Sequence, residues 1–262
     1  MELSKRLQAI ADMVTTGSRT ADVGCDHGFV SIYLYEHKIA PKVYAMDLRE
    51  GPLQRAKEHI EARGFSDYIE TRLSDGVEAL AAGEAETLIC AGMGGRLMAE
   101  ILSKGHEKTA LMKELILQPQ SELRYFRAFL RQSGYVILME NMVKEDGKFY
   151  PIIKAAYGGG AVSADSLSCE APQRITDSFG PCLLADRHPV LKEYLEMLRD
   201  RDEKILTGLC SAEKAGAKMS VVSGDEETAD GCGADAHRRA ARRQELCGEL
   251  ADIAYCLALY EA

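Results

Sequence analysis

The chain has 262 residues, 46% of them hydrophobic, and a formal net charge of -9, enough apolar material for one sizeable core and a smaller appended unit. No run approaches the ~20 apolar residues of a membrane span, and Met1-Glu2-Leu3-Ser4-Lys5-Arg6 lacks a secretory-type stretch, so a soluble, cytoplasmic protein without membrane contact is expected. Eight cysteines stand singly with no C-x-x-C pair, which argues against a disulfide framework and for reduced thiols.

Charge is uneven: residues 1–160 carry 20 basic and 22 acidic side chains, net -2, and residues 161–262 carry 12 and 19, net -7. The nearly neutral N-terminal part leaves room for local basic faces. In chain order, β-prone runs predict strands at Thr20–Gly24, Val43–Asp47, Tyr68–Leu73, Thr87–Ala91 and Leu115–Gln118. Helices fall between them, one starting near Phe29 and one over Gly51–Arg63, where Leu53, Ala56 and Ile60 recur at helical spacing. This alternation predicts a doubly wound α/β domain over residues 1–157. Its last two strands, Tyr135–Val143 and Phe149–Tyr157, flank the turn signal Asp146-Gly147 and form an antiparallel hairpin.

Residues 158–172 are small and polar and read as a linker or loose loop. In the C-terminal domain, 173–262, Leu191, Leu195, Leu198, Ile205 and Leu209 keep a 4,3 spacing that skips only Asp202. Leu246, Leu250, Ile253, Leu257 and Tyr260 keep the same spacing unbroken. Two such seams predict an antiparallel coiled-coil hairpin with a flexible tip at about 214–235. Each helix supplies the other's partner, so a monomer is expected before a weak dimer.

The chemistry gathers at strand ends. Asp22-x-Gly24-x-x-x-Gly28 closes the first strand, where glycine lets a ligand approach the backbone. Asp47, about 20 residues on, closes the second and suits the two hydroxyls of a ribose. Asp75-Gly76 follows the third strand, and Ala91-Gly92-Met93-Gly94-Gly95 follows the fourth. Four successive strand ends bearing carboxylates or glycines place a nucleotide-like ligand at the carboxyl edge of a parallel sheet. The spacing is not G-x-G-x-x-G, which weakens a dinucleotide reading. Cys25, Asp26 and His27 are adjacent and lack a matched ligand pair, so no metal is expected; Cys90 reads as a buried thiol.

The stretch Asp22-Val23-Gly24-Cys25-Asp26-His27-Gly28, with Ala91–Gly95 and Leu117-Gln118-Pro119-Gln120, resembles the class I S-adenosylmethionine-dependent methyltransferases. More narrowly, over nearly the whole chain, it resembles the bacterial tRNA (adenine(22)-N1)-methyltransferase family, usually called TrmK. The resemblance implies a Rossmann-like fold with a mostly parallel seven-stranded sheet, S-adenosyl-L-methionine as cofactor, and tRNA as partner, held in part by the coiled coil. It assigns the cofactor to Asp22, Gly24, Cys25, Gly28, Asp47, Leu48, Asp75, Gly76, Ala91, Gly92, Met93 and Gly94. Asp22 takes the methionine end, Asp47 the ribose and Asp75 the adenine amine.

Adenine N1 already carries a lone pair, so positioning is expected to supply most of the rate. Asp26 is the first candidate to stabilise the developing cation, His27 a hydrogen-bonding group, and Gln118 with its neighbours a placer of the splayed base. The N-P-P-Y loop of exocyclic-amine methyltransferases is absent. A small-molecule methyltransferase and a non-catalytic RNA-binding protein on the same fold are the alternatives. Arg124, Arg127 and Arg131 on one helix face, and His237–Arg243, are candidate phosphate contacts.

Overall fold

In the order of the chain, α1 (Lys5–Asp12), β1 (Thr20–Val23), α2 (Phe29–Glu36), β2 (Val43–Asp47), α3 (Glu50–Glu61) and β3 (Ile69–Leu73) form the first half of the sheet domain. They are followed by β4 (Thr87–Gly94), α4 (Gly95–Lys104), α5 (His106–Thr109), β5 (Glu114–Ser121), α6 (Leu123–Gln132), β6 (Tyr135–Glu145) and β7 (Lys148–Tyr157). The structure is a computed structural model that describes residues 2–158, 171–220 and 229–261, and their side chains outside 212–236. The strands make one seven-stranded sheet in the order β3-β2-β1-β4-β5-β7-β6. Pairing is parallel from β3 to β5 and antiparallel at β7 and β6.

Every residue of β1 and β2 is buried, as strands covered on both faces require. The period of two sorts their neighbours into layers. Tyr44, Met46, Leu88, Cys90, Leu115 and Leu117 pack with Met98 and Leu102 of α4 and Phe126 and Leu130 of α6. Val43, Ala45, Ile89 and Ile116 pack on the other face with Ile10 of α1, Ile32 and Leu34 of α2, and Ile60 of α3. The expected hairpin turn is present: Asp146 (φ 48) and Gly147 (φ 74) are both left-handed, the combination that matches strand twist in a two-residue loop. The hairpin strands run to Glu145 and from Lys148, slightly further than expected, and the two strands at the cleft extend more. Beyond Ala91 and Gln118, β4 and β5 continue past an irregularity through Met93↔Pro119 and Gly94↔Ser121, and the proline, lacking an N–H, sits at that irregularity.

The chain divides into the units Met1–Val190 and Leu191–Ala262. Two short helices, α7 (Gln173–Phe179) and α8 (Pro181–Ala185), fall in the first unit, although the sequence pattern grouped them with the C-terminal domain from 173. A buried ion pair explains the difference. Arg127, 1% exposed, donates from Nε to Glu140 Oε1 at 2.8 Å. Its Nη1 reaches the carbonyls of Asp177 and Ser178 at 3.2 and 3.0 Å, and Glu140 Oε2 accepts from Cys182 N at 3.0 Å. Arg127 is thus engaged inside the protein and does not track phosphates.

The second unit consists of α9 (Pro189–Ser220), which begins two residues before it, and α10 (Ala229–Ala258). Leu191, Leu195, Leu198, Leu246 and Ile253 are buried. Ile205 is 40% exposed while Asp202 is 1% exposed, so the buried stripe passes through the position the apolar pattern skipped; Asp202 Oδ1 accepts from Arg201 Nε at 2.7 Å. Helix occupies the flanks of the expected tip at 214–235, and 221–228 lies outside the described residues, as does 159–170 of the expected linker. Among the described residues no helix is long and apolar enough to cross a membrane.

Candidate active site

The strand order reverses between β1 and β4, and there a cleft of about 510 Å³ opens at the carboxyl ends of the strands. Both the place and the size, within the ~300–1,000 Å³ of small-molecule pockets, are those of a ligand site. The turn after β1 is pinned to β2: Gly24 N and Cys25 N donate to Met46 O at 2.8 and 2.9 Å. Gly24 has φ +75, a left-handed conformation that favours glycine, and a Cβ added there would have to displace the terminal methyl of Met93.

Two carboxylates are buried at this turn. Asp22 is 5% exposed and accepts from Ser31 Oγ at 2.7 Å. Burial, with a smaller push from the charge of Asp47, raises its pKa to about 6 against the Ser31 hydrogen bonds. Asp47 is 6% exposed, accepts from Arg49 N at 2.9 Å through Oδ1 and from Asp26 N at 3.4 Å through Oδ2. A carboxylate has about four acceptor positions, so both aspartates keep capacity for a ligand. Asp75 is exposed and lies 3.8 Å from Lys104 Nζ. Asp26, left-handed at φ 49, lies 3.7 Å from His27 Nε2 and 4.0 Å from Arg55 Nη2. The rings of His27, Phe29 and His59 have centroids 5.3–5.8 Å apart and planes within 24° of parallel.

Of the residues singled out from the sequence, Asp22, Gly24, Cys25, Asp26, His27, Asp47, Leu48, Asp75, Gly76, Ala91, Gly92 and Met93 line the cleft. Gly28, Gly94 and Gln118 do not. Gly28 opens α2 against α3, where an added Cβ would meet Ala56 Cβ at 3.1 Å, and Gly94 packs on Ser121 Oγ. Gln118 is fully buried; its Oε1 accepts from Arg6 Nη1 at 3.1 Å and its Nε2 donates to Pro119 O at 3.2 Å. The amide at the cleft belongs instead to Gln120, and a guanidinium from α1, Arg6, joins it. Nothing in the local pattern around Arg6 marks it, because only the fold brings α1 to the end of β5. Burial pushes the Cys90 thiol up to about 12, with Asp22 adding to it, and burial pushes Cys25 further in the same direction. Both thiols stay protonated, so neither is an activated nucleophile. Among the described residues no group of three or more His, Cys, Asp or Glu could hold a metal ion.

A sulfonium cation with an ammonium group and a ribose fits this half of the cleft: two buried carboxylates flank a left-handed glycine turn that leaves the backbone open to a ligand. The sheet order, the glycine turn after β1 and the acid closing β2 together define a Rossmann-like methyltransferase. A methyltransferase-domain family model matches residues 3–153. The tRNA (adenine(22)-N(1))-methyltransferase of Bacillus subtilis (strain 168) is 34% identical over 200 residues, spanning 76% of this chain and 82% of the relative. The crystal structure of the B. subtilis m1A22 tRNA methyltransferase TrmK aligns with a TM-score of 0.76 at 27% identity, covering 98% of this chain and 99% of that one. A Streptococcus pneumoniae protein solved in complex with S-adenosyl-L-methionine aligns at the same TM-score of 0.76 and 29% identity, covering 98% and 100%. The chain belongs to the tRNA (adenine(22)-N1)-methyltransferase family.

Proposed function

We propose that this protein transfers a methyl group from S-adenosyl-L-methionine to N1 of adenine 22 in tRNA, acting as a monomer in the cytoplasm. The observation that carries the cofactor half of this reading is the buried pair Asp22 and Asp47 around the Gly24 turn; family membership carries the acceptor half. The cofactor supplies an electrophilic methyl group. Asp22 takes its ammonium, Asp47 its ribose hydroxyls and Asp75 its adenine amine, with Leu48 beside the adenine and Gly24 allowing close backbone approach.

The protein has little proton chemistry to perform, since N1 attacks with its own lone pair; positioning carries the step. The product base is cationic, and Asp26, whose carboxylate is 63% exposed at the mouth, stabilises that charge. His27 holds Asp26 and the approaching base. Gln118 acts through Arg6, which it anchors, and not by contact with the base. The second unit, as a coiled-coil hairpin, holds the body of the tRNA.

Incubating unmodified tRNA transcript with the protein and cofactor, then measuring nucleosides by mass spectrometry, tests the reading. A single 1-methyladenosine at position 22 is expected. N6-methyladenosine, or tRNA binding with no methyl transfer, overturns it. Light scattering on the eluted protein checks the monomer.

A further inference from the structure

The cleft has two sides of different chemistry. The carboxylates of Asp22, Asp26, Asp47 and Asp75, with the guanidinium of Arg49 4.0 Å from Asp47, belong to the ends of β1, β2 and β3 and the turns after them, whereas the side formed by α1, β4 and β5 carries the guanidinium of Arg6 and the amide of Gln120. Between these two groups lies Gly92, with φ +79: a Cβ built there would stand 3.7 Å from Arg6 Nη1 and 3.7 Å from Gln120 Nε2, with nothing closer. This is an open floor flanked by hydrogen-bonding groups. Arg6 is already engaged by Gln118 and lies over the Tyr150 ring at 5.4 Å. Gln120 is exposed at the cleft, and its carboxamide has no hydrogen-bond partner among the described residues.

We infer that Gln120 determines base specificity by reading the N6 and N7 atoms of the target adenine over Gly92. The inference rests on the proposed methylation at N1 and deepens it. A hydrogen bond donated to N1 would occupy the lone pair that must form the new bond to carbon, so the base has to be recognised along another edge. A carboxamide is the bidentate complement of the N6–N7 edge of adenine, accepting from the N6 amino group and donating to N7. Held that way, N1 stays uncovered on the far side of N6. Guanine offers acceptors at both O6 and N7, leaves the Gln120 oxygen facing another oxygen, and is rejected for that unpaired contact.

The test is a cycle between one side chain and one ring atom, using full-length protein and semi-synthetic tRNA with adenosine or 7-deazaadenosine at the methylated position. Wild type should lose at least about fivefold in kcat/KM on the 7-deaza substrate, the range of a lost base contact. Gln120→Leu, which removes the N6 contact as well, should lose at least that factor on the adenosine tRNA and show no further loss on the 7-deaza tRNA. The cycle cancels the changed basicity of N1, which both proteins meet. The same pattern is expected in tRNA affinity measured with S-adenosylhomocysteine bound, while affinity for S-adenosylhomocysteine itself stays unchanged in Gln120→Leu. Equal affinity of wild type for both tRNAs with S-adenosylhomocysteine bound, or losses that multiply in Gln120→Leu, would overturn the assignment and leave N1 methylation standing. No 1-methyladenosine from wild type on the adenosine tRNA would instead remove the proposed function itself.

Discussion

Asp22 shows how a single side chain couples binding to stability. Its carboxyl titrates at about 6 when folded, against 3.8 for an unperturbed aspartate such as an unfolded chain presents, chiefly because it is desolvated. Between these values the native state keeps a proton that the unfolded chain has released, so the contribution of Asp22 to stability falls as pH rises through that window. At neutral pH the buried charge therefore opposes folding, by at most roughly 3 kcal/mol at ~1.4 kcal/mol per pKa unit. Asp22→Asn keeps a partner for Ser31 and removes the charge. The variant should unfold about 1–3 kcal/mol harder than wild type at pH 7 and show little difference near pH 4, by urea titration at both pH values. It should also bind S-adenosylhomocysteine at least ~10-fold more weakly, the scale of a lost charged hydrogen bond. Wild-type affinity should decline below about pH 6, as Asp22 protonates, and the variant's should not. A variant that is less stable at pH 7 would show that the buried charge does not oppose folding, and one whose affinity keeps the pH dependence would show that Asp22 is not the ammonium partner.

At the scale of elements, the glycines of the two motifs serve different partners. Gly24 serves the cleft, as its spacing from the strand suggested, while Gly28 and Gly94 serve helix and turn packing. A glycine pattern in a sequence records close approach, and only the fold reveals whether a ligand or another backbone is what approaches. The clasp that ties α7 and α8 to the sheet was less legible. Glu140 stands out as a charge in the apolar run of β6, but Arg127 looks like part of a solvated arginine face, and its partners are 13 and 50 residues away. Removing one member of a buried pair leaves the other charged and uncompensated, which costs about 3–5 kcal/mol. Glu140→Ala should therefore lower the unfolding free energy from urea titration by that amount. Arg127→Met with Glu140→Leu, which removes both charges but leaves the Asp177 and Ser178 carbonyls and the Cys182 N–H without these partners, should recover only part of the loss. A cost for Glu140→Ala below ~1 kcal/mol would show that the clasp does not hold these helices.

For the whole molecule, the alternation of strands and helices sufficed to place the sheet, its hairpin and the cleft, because the period of two and the strand ends are local patterns. The boundary between units was not local. Residues 173–185 are helical and apolar enough to join either unit, and it is the contact of Arg127 with α7 that assigns them. The division has a functional consequence, since every residue lining the cleft lies between Arg6 and Gln120 and thus within Met1–Val190. Cofactor binding should reside in that unit alone. The basic residues Arg238, Arg239, Arg242 and Arg243 lie on α10 in the other, where they can add phosphate contacts, although Arg242 pairs with Glu245 and Glu249 and Arg238 and Arg243 are also engaged within the protein. A chain ending at Val190 should bind S-adenosylhomocysteine within about threefold of the full-length protein, as calorimetry measures, because no cleft residue is lost. Its tRNA affinity should fall, and the slope of log affinity against log salt should become shallower by ~0.9 for each phosphate contact removed. An unchanged slope would place the tRNA contacts on the sheet unit, and joint loss of cofactor and tRNA binding would show that the cleft depends on the second unit for its shape.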